Sequence, residues 1–522
     1  MHRAISIIIS ISSSSISIAW ATLATAALAL PVRVPVYVPS LDDLAHVSDP
    51  LPQLSLVETL PVGDFDLQST VLQTADVLVA HTNQAQRSID LSAMYWNLLG
   101  TDDRTVYTDP EMSAFGADRG AALFHALSDA AARGVKLRVL TSKEGLADDR
   151  SGSAHRNESS LPPELKQLVD AHPKQVSVHC WGGPEWYGGG ILHQKLWIFD
   201  HTHVYVGSAN MDWKSLAQVM EMGVFMEHLP PSSPWLQDVQ KLFDTWWHWA
   251  DRGLEVSTAT YFSPQFEAPL QVPSWSLFLP SSNRTADPFV RAQLQSSFNI
   301  RQQALVQFAP ASTPPSRIFL SAAPLEATVA HSRAFDEDAL VYTIRSARQR
   351  VSLSVMDFTP YSMYSLKSHP APIWWPALTD ALLAGVFAKR GLHVRLLISE
   401  WQHTNKQMLE ALQLLQEQGR LCEHMRSRCT GRLEVRIFRV PGWKNTTSIA
   451  TKKPRWPPFT RVNHAKYIVS DTRANIGTSN MEWGYFYTTA GMSVNTDHEE
   501  LRASLEAVFD RNWNSSYASP LE

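Results

Sequence analysis

Two stretches of the chain, "SIDLSAMYW" at 88–96 and "RVSLSVMDF" at 350–358, alternate along their length and carry enough apolar and β-branched residues to predict buried strands. Each runs into a helical pattern, "GAALFHALSDAAARG" or "WWPALTDALLAGVFAKRG", whose closing Arg-Gly pair is a natural C-terminal stop. Strand patterns follow again, "VKLRVLTS" and "LHVRLLIS". The order β, α, β therefore occurs twice. Both halves end on an apolar helix in which Phe243, Asp244 and Trp247 answer to Phe509, Asp510 and Trp513. Such alternation favours α/β layers around a mostly parallel or mixed sheet. The pattern predicts a bilobal α/β protein of two duplicated β-α-β halves, over 45–256 and 325–522. A Pro-, Ser- and Gln-rich linker is expected over 257–324, where periodicity fades.

One stretch in each half carries residues that a plain core strand does not need. "GILHQKLWIFDHTHVYVGSANMDW" and "RVNHAKYIVSDTRANIGTSNMEW" share a grammar: His193, Lys195 and Asp200 followed by Gly207, Ser208 and Asn210, then His464, Lys466 and Asp471 followed by Gly477, Thr478 and Asn480. Strand periodicity would set His193 and Lys195 on one face and Leu192 and Leu196 on the other. A single His-x-Lys is commonplace, but two copies with the same sequel are not accidental. The chemistry that needs this set is displacement at a phosphodiester, whose own charge repels nucleophiles. Lys195, Lys466 and the amides of Asn210 and Asn480 would receive the phosphoryl oxygens, one imidazole would attack and the other would protonate the leaving oxygen. Asp200 and Asp471 have the opposite parity and open a tight turn, so a structural role is expected for both.

Bulk properties change this picture little. A chain of 522 residues, 44% of them hydrophobic, exceeds one ordinary domain, and a net charge of -5 argues against nonspecific coating of nucleic acid without excluding a local anion site. Residues 1–33 read as a signal peptide or an uncleaved signal-anchor, and either sends the remainder into the secretory lumen. Sequons at Asn157, Asn283, Asn445 and Asn514 fit that compartment, as does a small loop closed by Cys422 and Cys429; Cys180 is left over as a buried thiol.

The paired motifs, together with "VGSANMDWKSLAQVMEMGV", "HVRLLISEW" and "IGTSNMEWGYF", resemble the phospholipase D superfamily, and within it the lysosomal 5′-exonuclease branch of the phospholipase D3 and D4 type. The resemblance covers about Leu56 to Pro520. It implies a bilobal phospholipase D fold with one shared site, a phosphohistidine intermediate, and no metal or other cofactor. Single-stranded DNA or RNA is the implied substrate, digested from the 5′ end in acidic endolysosomes, with phospholipid hydrolysis or transphosphatidylation as the alternative. A catalytically silent lumenal binding protein is the third reading. Membrane anchoring through the amino terminus and pairing with a second copy of the chain are the further partner expectations.

Family members orient the nucleophilic imidazole with a carboxylate on the return strand, which here points to Glu221; the second half has "TTAGMSV" in its place. This asymmetry favours His193 as nucleophile and His464 as general acid. Ahead of the second motif, Lys452, Lys453, Arg455 and Trp456 form a basic and aromatic mixture suited to a single strand, and Trp181, Trp186 and Tyr187 are candidates for base stacking or a lid.

Overall fold

The computed structural model describes residues 50–142, 161–182, 190–252, 258–263, 268–273, 280–283, 296, 298–324, 333–363, 372–388, 391–425, 428–447 and 453–522. Trp186, Tyr187, Lys452, Asn157 and the amino-terminal segment 1–33 lie outside them.

The first half is built on β1 (Gln53–Thr59), β2 (Leu72–Gln73), α1 (Thr74–Gln84), β3 (Ser88–Ala93), α2 (Asp118–Ala132), β4 (Lys136–Ser142), α3 (Pro163–Ala171), β5 (Val176–Trp181), β6 (Leu196–Phe199), β7 (His203–Gly207), α4 (Trp213–Ala217), β8 (Glu221–Glu227) and α5 (Pro234–Arg252). Its eight strands lie in the order β2-β1-β8-β7-β6-β3-β4-β5. The second half repeats the plan with β9 (Ala304–Val306), β10 (Ser316–Ala323), β11 (Ala334–Phe335), α6 (Asp336–Ser346), β12 (Arg350–Val355), α7 (Ala377–Val386), β13 (His393–Ser399), α8 (Lys406–His424), β14 (Arg432–Phe438), β15 (Tyr467–Ser470), β16 (Ala474–Gly477), α9 (Trp483–Tyr487), β17 (Gly491–Thr496), α10 (Glu499–Trp513) and β18 (Ala518–Pro520). The sheet order there is β9-β10-β17-β16-β15-β12-β13-β14-β18, with β11 beside β10. Both sheets are mixed: β3 is parallel to β4 and antiparallel to β6, as β12 is to β13 and β15.

Alternation along the strands distributes the core. Leu196, Ile198, Val204, Val206, Met222 and Val224 join Ile318, Leu320, Tyr467, Val469, Met492 and Val494 in one cluster with α5 and α10, so one face of each sheet looks into a shared interior. Trp197, Phe199, Tyr205 and Phe225, at the intervening positions, pack against α1 and α2 on the outer side. Ile468, Val351 and Leu353 do the same against α6, α7 and α8. The described residues from 50 onward belong to one compact unit.

The terminal helices dock through the same clasp in both halves. Arg138 of β4 bonds Asp90 and Asp244, its guanidinium 4.9 Å from the Phe243 ring centroid and 5.5 Å from that of Trp247. Arg395 of β13 bonds Asp510, 4.8 Å from Phe509 and 5.6 Å from Trp513. Repetition of Phe, Asp and Trp in the sequence is thus the record of one arginine-binding cup used twice.

Two sequence expectations need correction. The stretch 257–324, read as a linker, contains β9 and β10, and β10 pairs with β17 from Ile318↔Thr496 to Ala323↔Gly491 deep in the second sheet. The Pro-rich flanks masked an eight-residue strand whose Phe319, Leu320, Ala322 and Ala323 are fully buried. His193 and Lys195 also do not lie on a regular strand: β6 begins at Leu196, and the residues before it form an extended segment anchored by other contacts.

Asp200 occupies a left-handed turn (φ 50°) at the end of β6, and its carboxylate accepts hydrogen bonds from the main-chain N–H groups of Gln86, Arg87 and Ser88 at 2.8, 2.7 and 2.9 Å. Asp471 does the same for Arg348, Gln349 and Arg350 at 3.0, 3.2 and 3.4 Å. Each aspartate ties the entry of one central strand to the exit of its neighbour. Burial disfavours ionisation of Asp200, but the three N–H donors outweigh it and hold the carboxyl below its usual value. A depressed folded value means stabilisation that is present above the unfolded value of about 3.9 and lost as pH falls through the folded one. Asp200→Ala should therefore lower stability by ~2 kcal/mol at neutral pH, with a deficit that shrinks as acid protonates the folded carboxyl, read from thermal midpoints across the pH range.

Candidate active site

Each motif is held in place by the opposite half. The His193 N–H donates to the Ala490 carbonyl at 2.9 Å and the Ala490 N–H to Ile191, while the His464 N–H donates to the Met220 carbonyl at 2.8 Å and the Met220 N–H to Val462. Leu192 thus bridges Ala490, and Asn463 bridges Met220, in matching parallel contacts. The imidazoles of His193 and His464 come to a centroid separation of 6.3 Å, inclined at 66°. Within each motif the lysine ammonium turns back to its own histidine's carbonyl, Lys195 Nζ to His193 at 3.0 Å and Lys466 Nζ to His464 at 2.6 Å.

The glycines of the motifs are required by close approach. A Cβ on Gly207 would stand 2.3 Å from the Tyr205 hydroxyl and 2.8 Å from the Gly223 Cα, and one on Gly477 would stand 2.0 Å from Ser493 Oγ. Beside them Ser208 Oγ donates to Glu221 and accepts from the Met222 N–H at 3.0 Å; Thr478 Oγ1 accepts from the Met492 N–H at 3.1 Å.

Glu221 is placed differently from the sequence expectation. Its carboxylate faces His464, with Oε1 and Oε2 3.0 and 2.9 Å from Nδ1, and not the histidine of its own half. Exchange of the two backbones across the bridge causes this, because Met220 pairs with Asn463 and so delivers the next residue to the opposite motif. The equivalent neighbour of His193 is Gly491, which follows Ala490, and the His193 Nδ1 has no hydrogen-bond partner among the described residues. His193 instead lies edge-on to Tyr485, 4.9 Å between centroids.

The asparagines serve other side chains. Asn480 Nδ2 donates to Asp357 at 2.8 Å and to the Tyr485 hydroxyl at 3.2 Å, which commits both amide hydrogens inside the protein; the expected donation to phosphate is revised accordingly. Asn210 Nδ2 donates to the Tyr95 hydroxyl at 3.3 Å, and that hydroxyl donates to Asp212 at 3.1 Å. Tyr95, Asp357 and Tyr485 were not singled out from the sequence. The signal was present in the echo of "SIDLSAMYW" by "RVSLSVMDF", which puts Tyr95 and Asp357 at one position of the repeat, directly after the central strand.

Burial governs the charge of this cluster. It pushes both imidazoles well below their usual value, aided by Lys195 and Lys466. Burial lowers Lys466 to about 7 against the pull of Glu221 and Asp357, and raises Glu221 to about 8 and Asp357 to about 6 against the pull of Lys466. At neutral pH the Glu221–His464 pair therefore holds one proton between its two members, while His193 is an uncharged imidazole. This arrangement offers one unprotonated nitrogen, one proton donor backed by a carboxylate, and two lysines, Lys195 as well as Lys466, whose protonation burial disfavours and acid pH restores, all in a low-dielectric interior.

Other candidates are placed away from this chemistry. Trp181 is fully buried, edge-on to Trp246 at 5.7 Å, and is core. Trp456 is 7% exposed, with the Arg461 guanidinium 3.3 Å above its ring centroid; Lys453 bonds Glu111 at 2.7 Å, and Arg455 pairs with Asp64. These residues fasten a loop of the second half onto the first, so their charges are already answered and do not form a free strand-binding patch. Asn445 is held through both side-chain atoms by the Trp456 main chain, whereas Asn283 and Asn514 are exposed. Cys422 and Cys429 form a disulfide, with Cα atoms 5.2 Å apart.

Two duplicated halves that pool a histidine and a lysine each in one buried cluster define a class of phosphodiesterases. Two family models match: "Cardiolipin synthase, PLD-like domain" over residues 78–247 and "PLD3/4, PLD-like domain" over 291–443. Phospholipase D Z of Dictyostelium discoideum is 30% identical over 468 residues, covering 90% of each chain. The 5′-3′ exonuclease PLD3 of Xenopus laevis is 30% identical over 476 residues, 89% of this chain and 80% of its own. The virion nicking-joining enzyme of Vaccinia virus (strain Western Reserve) is 28% identical over 472 residues, 89% of both. The chain belongs to the phospholipase D superfamily, in its phospholipase D3/D4 branch, and is a phosphodiesterase. The reading as a silent binding protein is set aside.

The shared proton makes a pH prediction. Loss of the proton as pH rises through about 8 disarms the donor, so activity should fall on the alkaline side. Glu221→Gln leaves a His464 whose value is depressed by burial and by Lys466 and Lys195, and should lower kcat by about 100-fold and move the alkaline limb of the kcat profile to lower pH. An unmoved limb would show that this pair does not carry the working proton.

Proposed function

We propose that this enzyme is a metal-independent 5′-to-3′ exonuclease on single-stranded DNA or RNA, working through a phosphohistidine intermediate in an acidic lumen of the secretory or endolysosomal pathway. The observation that carries the mechanism is the unequal pair of imidazoles. His193, uncharged and without a carboxylate, attacks phosphorus; the bond to the leaving oxygen breaks, and the proton held by His464 and Glu221 passes to that oxygen. His464 then takes a proton from water as the water displaces His193. Lys195 and Lys466 supply the positive charge that a phosphoryl group demands. The roles expected for the two histidines are retained, but for the opposite reason: Glu221 marks the acid and not the nucleophile.

Substrate choice is supported by the relatives named as 5′-3′ exonucleases, and the compartment by the apolar amino-terminal run and the Cys422–Cys429 disulfide. Relatives named phospholipase D keep phospholipid hydrolysis or transphosphatidylation as the second reading.

A phosphodiester with a nitrophenolate leaving group needs no general acid in the first step, so His464→Ala should regain a stoichiometric burst of nitrophenolate release, though not the later turnover in which His464 activates water, and His193→Ala should show no burst. Recovery in the reverse order would exchange the two roles. Digestion at acid pH with chelator present, comparing 5′-hydroxyl and 5′-phosphate oligonucleotides with a phosphatidylglycerol vesicle, should give nucleotide release from the 5′-hydroxyl strand; turnover of the vesicle alone would replace the nuclease reading.

A further inference from the structure

Strands β7 and β8 carry the catalytic end of the first half on Gly207, Ser208 and Glu221, and at their other end, about 20 Å away along β8 by strand rise, a second polar cluster is built. His203 opens β7, Glu227 closes β8, and His81 reaches them from the last turn of α1. One ligand atom from each lies within 4.8 Å of the others, and His81 Nε2 stands 3.3 Å from Glu227 Oε1. That separation matches the edge of about 3.4 Å expected for a tetrahedron of ligands with bonds of about 2.0–2.1 Å. The His81 ring rests on Phe225 and approaches Phe199, at centroid distances of 4.3 and 5.8 Å, which gives the cluster an apolar floor. On its open side the His81 and Glu227 side chains are 12% and 22% exposed, accessible to an ion from solvent.

We propose that His81, His203 and Glu227 bind a divalent transition-metal ion of the zinc type, which clips the end of α1 to the sheet, remote from the phosphodiester site. Two imidazoles and one carboxylate are a ligand set suited to zinc, with the fourth position left to water. His228, whose N–H contacts His203 Nδ1 at 3.3 Å from a left-handed backbone (φ 55°), packs edge-on against the same ring. Binding through the other ring nitrogen of His203 moves the proton to Nδ1 and breaks that weak contact.

The duplicated half supplies an internal comparison. Counting from the helix starts for His81, back from Gly207 and Gly477 for His203, and from Glu221 and Gly491 for Glu227, these positions are held in the second half by Thr343, Arg473 and Asp497. Arg473 stacks on Tyr342 at 4.8 Å, and Asp497 pairs with Arg317. The second half thus fills the place with guanidinium groups that belong to the chain. The first half has imidazoles where the second has Thr343 and Arg473, and their nitrogens can take a cation from outside.

The test titrates chelator-stripped full-length protein carrying His193→Ala and His464→Ala with Zn²⁺ against a chromophoric competitor, so that the catalytic imidazoles take no part. One ion per chain is expected, with a rise in thermal midpoint, and addition of His81→Ala plus His203→Ala should weaken binding at least 100-fold and abolish the rise. Co²⁺ should give the intense ligand-field bands of a tetrahedral site, which Glu227→Gln diminishes in a protein that retains the far-ultraviolet spectrum of its parent. Absence of stoichiometric binding, or binding and cobalt bands unchanged by these substitutions, would overturn the proposal. Because none of these readouts uses substrate, failure here leaves the nuclease reading untouched.

Discussion

Four main-chain hydrogen bonds at two crossed bridges decide what this molecule can do. Ile191, His193 and Ala490 on one side, and Met220, Val462 and His464 on the other, splice the motif of each half to the return strand of its partner. Neither motif segment belongs to a regular strand of its own sheet, so without the splice each would leave buried N–H and C=O groups unpaired, at a cost of about 1–3 kcal/mol apiece. The same four bonds set the imidazoles 6.3 Å apart and send Glu221 to the histidine of the other half. Geometry, charge and domain association are therefore one constraint.

Electrostatics follow from that burial. Two lysines, two histidines, Glu221 and Asp357 share a volume where no group ionises at its ordinary value; Lys466 opposes the effect of burial on both carboxylates, joined at Glu221 by the Ser208 hydrogen bond and Lys195. Removal of one member would strand the others, since a buried charge without its counterpart is penalised more heavily than the pair itself. Around the cluster, Asn480, Tyr485, Asn210, Tyr95 and Asp212 form hydrogen-bonded struts that hold Asp357 and the neighbouring turns.

Much of this was legible in the chain. The strands at 88–93 and 350–355, the helices that follow them, the Arg133-Gly134 stop and the repeated Phe, Asp and Trp all carry periodicity or local chemistry that survives in the fold, whereas the second helix ends at Val386, ahead of its expected stop. The turn aspartates were readable because a two-residue period assigns them opposite parity to the histidines. Three things were not. The strand at 316–323 was hidden by flanking prolines, since local composition is silent about long-range pairing with 491–496. The partner of Glu221 depended on a crossing between halves 243 residues apart, which no window of sequence contains. Lys453, Arg455 and Trp456 looked like a binding patch because their counter-ions, Glu111 and Asp64, lie in the other half.

Gly491, at the position that Glu221 occupies in the first half, has a further meaning. A Cβ there would stand 2.3 Å from Ser479 Oγ, so a second carboxylate could enter only if that side chain moved aside. The scaffold is close to a twofold repeat, yet its chemistry is handed: a linear phosphodiester lying across it meets two unlike sides. Two identical halves would accept such a chain in either sense. A carboxylate on one side alone gives the cradle a front and a back, which is what a site needs before it can tell one end of a polymer from the other.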